Sequence, residues 1–258
     1  MEKLIVAVLQ LDIFWEDKKR NIEKIDTLIK SINKVDLIVL PEMFTSGFTM
    51  NAAENAETME GETIKWLKEK SKQKECSIIG SFIIKEDDKF FNRAIIVNAK
   101  EHVFTYDKRH LFRFEGEKDI YTNGEKQLIF NIGKWKIMPQ ICYDLRFPVW
   151  SRNNNHYDVL IYMANWPAKR NNHWMKLLYA RAIENQCYVI GCNRIGKDGN
   201  KIEYIGNSLV IDPWGNKINE DIYNEEGIIK VEIKKNVIKK YRDILPVYLD
   251  NDRFNIIQ

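Results

Sequence analysis

Trp135-Lys-Ile-Met-Pro-Gln-Ile-Cys-Tyr-Asp-Leu-Arg-Phe-Pro148 is the stretch from which the rest of the chain can be read outward. Its core, Lys136–Cys142, is an apolar run of strand length that stops at a cysteine. Phe147-Pro-Val-Trp-Ser-Arg152 then opens like a helix, with Pro148 near its first turn, where a missing N–H costs little. A thiol at a strand–turn–helix bend has the form of a nucleophile elbow. Such a bend exposes sulfur at the top of a sheet and aims backbone N–H groups at an attacked carbonyl. Taken alone, a cysteine closing an apolar run is more often a core residue.

Runs of the same kind recur at Ile5–Gln10, Leu37–Pro41, Ser77–Ile84, Ala94–Asn98, Val103–Tyr106 and Leu128–Ile132 before it. Val159–Ala164, Cys187–Asn193, Gly206–Ile211 and Gly227–Ile233 follow it. Helical periodicity fills some of the gaps. Asn21–Ile32 places Ile22, Ile25, Leu28, Ile29 and Ile32 on one stripe; Gly61–Lys74 carries Ile64, Trp66 and Leu67; Trp174–Asn185 carries Met175, Leu178, Ala182 and Ile183. So many strands with so few helices exceed one doubly wound sheet. The pattern predicts an α/β fold of two sheets packed face to face with helices on the outer faces. Lys197-Asp-Gly199 and Pro213-Trp-Gly215 read as turns. No linker, low-complexity tract or repeat interrupts the chain, so residues 1–258 read as one domain. From about residue 236, a stretch containing Tyr241, Pro246, Tyr248 and Phe254 reads as an irregular aromatic strap packed on a neighbour or a partner subunit.

Composition narrows the function classes. The 258 residues are 45% hydrophobic and 12% aromatic, enough for a sizeable core. Lys and Arg number 40 against 37 Asp and Glu, a net charge of +3, and no basic patch interleaves with aromatics; a nucleic-acid partner is not expected. The opening Met1-Glu-Lys-Leu-Ile-Val-Ala-Val8 is too short, and too soon followed by Gln10 and Asp12, for a signal peptide or membrane span. The expectation is a cytoplasmic protein with no membrane partner. Cys76, Cys142, Cys187 and Cys192 show no C-x-x-C spacing, and His102, His110, His156 and His173 no metal-ligand spacing, so neither disulfides nor a metal are expected.

Two further polar residues close apolar runs, where α/β folds tend to carry functional groups. In Asp36-Leu-Ile-Val-Leu-Pro-Glu42, Pro41 ends strand pairing and a carboxylate follows at once, placed to act as a general base or simply to sit in a surface turn. In Val103-Phe-Thr-Tyr-Asp-Lys108, a lysine follows a strand. On the surface it is unremarkable; buried beside two carboxylates it stays protonated and can hold an oxyanion.

In the order Glu42, Lys108, Cys142, each behind a strand, the chain resembles the nitrilase superfamily of carbon–nitrogen hydrolases. The resemblance spans essentially the whole length. Its motifs are Val6-Ala-Val-Leu-Gln10, Leu40-Pro-Glu42, Tyr106-Asp-Lys-Arg-His-Leu-Phe112, Ile141-Cys-Tyr-Asp-Leu-Arg-Phe-Pro148, Arg181-Ala-Ile-Glu-Asn185 and Gly206-Asn-Ser-Leu-Val-Ile-Asp-Pro-Trp-Gly215. Cys142-Tyr-Asp-Leu-Arg-Phe147 is similar to the omega-amidase branch, which hydrolyses 2-oxoglutaramate and 2-oxosuccinamate. Asn165-Trp-Pro-Ala-Lys-Arg170 followed by His173-Trp174 resembles its bacterial members.

The resemblance implies a four-layer α-β-β-α sandwich that pairs into a homodimer or larger homo-oligomer, with no cofactor. It implies Cys142 as nucleophile, Glu42 as base, and Lys108 with the Tyr143 N–H around the oxyanion. A second glutamate follows the lysine: Glu117 is favoured, with Glu115 the alternative if the loop slips. Arg146 is the natural partner of a substrate carboxylate, which a guanidinium meets with two parallel hydrogen bonds. The rival for Arg146 is an ion pair with Asp144, a residue expected to hold the elbow. Arg170 is a second carboxylate candidate, and Phe44, Trp166 and Tyr143 are candidate walls. Other readings are an aliphatic or N-carbamoyl amide hydrolase, or a non-catalytic interaction protein keeping the fold.

Overall fold

Along the first strand, side chains alternate between two cores. In the computed structural model, which describes residues 2–154, 157–252 and 254–256, β1 (Lys3–Gln10) sends Leu4, Val6 and Val8 into one apolar cluster and Ala7 and Leu9 into another. His156, weighed above as a metal ligand, lies outside the described residues. The chain continues through α1 (Lys18–Ser31), β2 (Leu37–Val39), α2 (Ala52–Asn55), α3 (Glu62–Lys74), β3 (Ser77–Glu86), β4 (Lys89–Val97), β5 (Val103–Asp107) and α4 (Glu117–Ile120). There follow β6 (Phe130–Ile132), β7 (Trp135–Ile141), α5 (Pro148–Ser151), β8 (Val159–Ala164), α6 (Asn171–Asn185) and β9 (Tyr188–Asn193). The last elements are β10 (Ile195–Lys197), β11 (Glu203–Ile205), β12 (Leu209–Ile211), β13 (Gly227–Lys234) and α7 (Lys235–Ile244).

One sheet has the order β13-β1-β2-β3-β4-β5, the other β12-β9-β8-β7-β6. Each has three parallel strands at its centre, β1-β2-β3 and β7-β8-β9, flanked by antiparallel ones. The inner faces meet in one core: Val6, Val8, Val39 and Ile79 from the first sheet, Ile137, Ile141, Val159, Ile161 and Ile190 from the second. The outer face of the first sheet packs on α1 and α3 through Ile25, Ile29, Ile64 and Leu67. The outer face of the second takes Trp174, Leu178 and Ala182 of α6 against Leu160, Tyr162 and Val189. The result is the expected four-layer α-β-β-α sandwich, because strands buried on both faces must be covered on both.

Local departures have local causes. The run expected at Ala94–Asn98 is a longer strand from Lys89, whose polar start hides buried Asn92 and Arg93; Arg93 is neutralised by Asp107 and Glu86. The turn at Lys197-Asp-Gly199 joins the β10–β11 hairpin, two strands too short to show alternation. The stretch after Lys235, expected irregular, begins with a ten-residue helix, α7. Ile238 and Tyr241, one turn apart, are buried beneath it, and three lysines and Arg242 alongside them mask the stripe in the sequence. Among the described residues, no helix is long and apolar enough to cross a membrane.

Candidate active site

Glu42, Lys108, Cys142 and Asn165 each follow the end of a strand, β2, β5, β7 and β8, and these ends converge at one edge of the sandwich. The chain leaves β7 in a left-handed residue, Cys142 at φ 43°, and enters a 3-10 turn, Cys142–Arg146, before the single-turn α5. The expected helix is thus preceded by a tighter bend. A positive φ at a non-glycine residue persists only where its surroundings enforce it. Here Asp144 does so. Its buried carboxylate accepts from the Ile141 N–H (3.0 Å), the His110 N–H (2.9 Å) and the Tyr106 hydroxyl (2.7 Å), and Arg181 donates to the Leu145 carbonyl (2.6 Å). With Asp144 so occupied, Arg146 makes no ion pair with it.

Beneath the thiol lies a fully buried charged cluster. The Lys108 Nζ donates to Glu42 Oε1 and to both carboxylate oxygens of Glu117, each at 2.8 Å, and all three side chains are fully buried. Asn92 Nδ2 donates to Glu42 (2.9 Å) and Glu117 (3.2 Å), and the Ser81 hydroxyl fixes the Asn92 amide at 2.9 Å. The second oxygen of Glu42 accepts the Asn165 backbone N–H at 2.8 Å, and the Phe112 N–H donates to Glu117 at 2.5 Å. Of the two glutamates after the lysine, Glu117 reaches it; Glu115 stands at the cavity wall.

The charges push one another in definite directions. Burial alone would lower Lys108, but the Glu117 and Glu42 carboxylates outweigh it and hold the ammonium above its usual range. Burial raises the Glu117 carboxyl, and the Lys108 charge offsets this only in part. The Cys142 thiol is pushed well up by burial and by the Glu42 charge, with Lys108 pulling the other way. A thiol in that condition keeps its proton at neutral pH until a base removes it.

Above the cluster opens a narrow cavity, walled by Phe48, Phe112, Tyr143 and Trp166, with Glu115, Arg146 and Arg170 among its polar lining. Arg146 lies over the Trp166 ring (4.8 Å) and Arg170 over Phe112 (5.2 Å). Burial and the neighbouring Arg170 charge both lower Arg146. Phe44, expected as a wall, is elsewhere. Met43, left-handed at φ 45°, turns the chain so that Phe44 enters the outer core, edge-on to Phe82 (5.6 Å) and against Gly80, where a Cβ would come within 2.7 Å of its ring. Phe48 takes the wall position instead.

Sequence reasoning passed over Asn92, Asn165 and Phe48. Asn165 carried the same signal as Glu42, a polar residue directly after an apolar run; Asn92, inside a polar stretch, carried none.

The carbon–nitrogen hydrolase family model matches residues 5–243. The chain is 44% identical over 257 residues to the omega-amidase YafV of Yersinia enterocolitica, spanning 100% of both. It is 34% identical over 254 residues to the 2-oxoglutaramate amidase of Bacillus subtilis, spanning 96% of this chain and 97% of that one. Among solved structures, XC1258 of Xanthomonas campestris, a CN-hydrolase superfamily protein with an arsenic adduct in its active site, superposes with a TM-score of 0.97 at 36% identity, covering 99% and 100% of the two chains.

Proposed function

The chain belongs to the carbon–nitrogen hydrolase family, and from that premise we propose an omega-amidase mechanism in which Cys142 is the nucleophile. The protein is a cysteine-dependent amidase that converts a small carboxylate-bearing amide, of the 2-oxoglutaramate or 2-oxosuccinamate type, to the acid and ammonia. The observation that supports the residue roles is the fully buried Glu42–Lys108–Glu117 cluster beside the Cys142 thiol, which burial and the Glu42 charge push toward its protonated form.

Glu42 takes the thiol proton as the sulfur attacks the amide carbon, so no free thiolate has to exist beforehand. The carbonyl oxygen becomes an oxyanion held by the Lys108 ammonium and the Tyr143 N–H. Glu42 returns the proton to the leaving nitrogen, ammonia departs, and a thioester remains. Water, deprotonated by Glu42, attacks the thioester and the acid leaves with the thiol restored. Glu117 keeps Lys108 charged and aimed. Asn165 and Asn92 hold Glu42 by its two oxygens, so the same carboxylate meets both half-reactions in one orientation.

Arg146, with Arg170 behind it, receives the substrate carboxylate. Two arginines against the single carboxylate of Glu115 in the cavity wall favour an anionic ligand over a neutral one. Ammonia release from 2-oxoglutaramate and from propionamide tests this reading. A preference of about tenfold or more for the oxo acid amide supports it (about 1.4 kcal/mol in the transition state). The opposite preference moves the protein to the aliphatic amidases and leaves Arg146 a structural residue.

The protein acts in the cytoplasm as a homodimer or higher homo-oligomer. Val149 of α5, Ile183 of α6, Trp214 in the turn beside it, and Ile244, Leu245 and Leu249 at and after the end of α7 are exposed apolar side chains, a surface suited to a second copy. Sedimentation at micromolar concentration reads this directly: a dimer mass supports it, a monomer mass removes it.

A further inference from the structure

We propose that His173 is a positioning residue for Arg146 and thereby sets the preference for acidic over neutral amides. This rests on the reading of Arg146 as the carboxylate clamp.

The contact is between Arg146 Nη2 and His173 Nδ1, at 3.2 Å. A guanidinium has donors and no acceptor, so the imidazole nitrogen accepts. The ring is therefore neutral and carries its proton on Nε2; a doubly protonated ring would set N–H against N–H and charge against charge.

Two surfaces then fix the guanidinium. The Trp166 ring lies under it, 4.8 Å from ring centroid to Cζ, and His173 ties one end and so limits its rotation over the ring. Trp166 is itself pinned, its backbone N–H on Asn193 Oδ1 and its indole N–H on the Arg170 carbonyl, both at 2.8 Å. His173 is exposed, yet its place is well defined. It sits in the first turn of α6, one residue before the buried Trp174, whose indole N–H donates to the Asn207 carbonyl at 2.9 Å.

A tether matters here because Arg146 and Arg170 line the same cavity with like charges that repel each other. A planar fork meets a carboxylate with two bonds only at one rotation. Without His173, Arg146 is free to turn on the indole face, and part of its binding energy goes into ordering it when substrate arrives. The effect falls on recognition of the carboxylate and not on the reacting amide at the other end.

The test measures kcat and KM for 2-oxoglutaramate and propionamide in His173→Ala and His173→Asn, each alone and combined with Arg146→Ala. The expected result for His173→Ala is a KM for 2-oxoglutaramate raised about fivefold, with kcat changed by less than about twofold and propionamide kinetics unmoved. His173→Asn, whose side-chain oxygen can stand where Nδ1 stood, recovers most of the loss. In the Arg146→Ala background, removing His173 has no further effect. Equal losses on both substrates, or a loss that persists without Arg146, overturns the proposal. If Arg146→Ala leaves the acid-to-neutral preference intact, the clamp reading fails and this inference with it. If Arg146→Ala collapses that preference while His173→Ala does not, the positioning role alone fails.

Discussion

Glu117 holds the Lys108 ammonium with both carboxylate oxygens, each at 2.8 Å, in a place neither side chain shares with solvent. A pair made this way is expensive to break from one side. Lys108→Met leaves two carboxylates facing each other without a counter-charge, and the expected cost in urea unfolding is about 3–5 kcal/mol. Glu117→Gln keeps the shape and removes one charge. It releases Lys108 toward Glu42, so kcat falls by about tenfold or more while KM changes little. A Glu117→Gln enzyme with unaltered kcat removes Glu117 from the reaction.

Arg146 and Glu115 line one cavity with opposite signs, and they make opposite predictions. Arg146→Lys keeps the charge and loses the planar fork. Its KM for 2-oxoglutaramate is expected to rise about tenfold, with a much smaller change for propionamide. Glu115→Gln removes a like charge from the path of an acidic substrate, so KM for 2-oxoglutaramate falls and KM for propionamide stays. Steady-state kinetics on both substrates checks each; parallel shifts on the two amides contradict the assignment.

The four thiols make stability fall on the alkaline side. Burial pushes Cys76 up to about 12, and burial raises Cys142, Cys187 and Cys192 as well. In the unfolded chain a thiol loses its proton near about pH 8.5, while in the folded chain it keeps it. Between those limits the folded state binds more protons, so the unfolding free energy drops as pH rises. Urea midpoints measured from about pH 8 to about pH 10.5 should fall steadily, and Cys76→Ala should have the shallower slope. Equal slopes in the two proteins show that Cys76 makes no contribution.

The parts of this architecture that sequence makes legible are those where one side chain breaks a regular pattern. Glu42, Lys108 and Cys142 each stop an apolar strand, so position along the chain already puts them at the sheet edge. The choice between Glu117 and Glu115 depends on the path of a loop. It resolves through the left-handed Gly116 and the Phe112 N–H that anchors the Glu117 carboxylate, neither of which leaves a periodic trace. Asn92 is opaque for another reason: on a strand with charged neighbours, a buried amide looks like a surface one. Phe44 lies within, and Phe48 just after, a tight turn that runs from the left-handed Met43 to the left-handed Gly47, and sequence does not say which aromatic faces the cavity.

Whether Cys142 carries the reaction is decided by ammonia release from 2-oxoglutaramate in Cys142→Ala. Removing one sulfur from the wall of an open cavity should leave the melting temperature within about 4 °C of the parent, so a folded protein is assayed. The expected result is no ammonia above the uncatalysed background at enzyme concentrations where the parent consumes all substrate. Turnover surviving in the folded variant would contradict it and move the nucleophile to another side chain or to water.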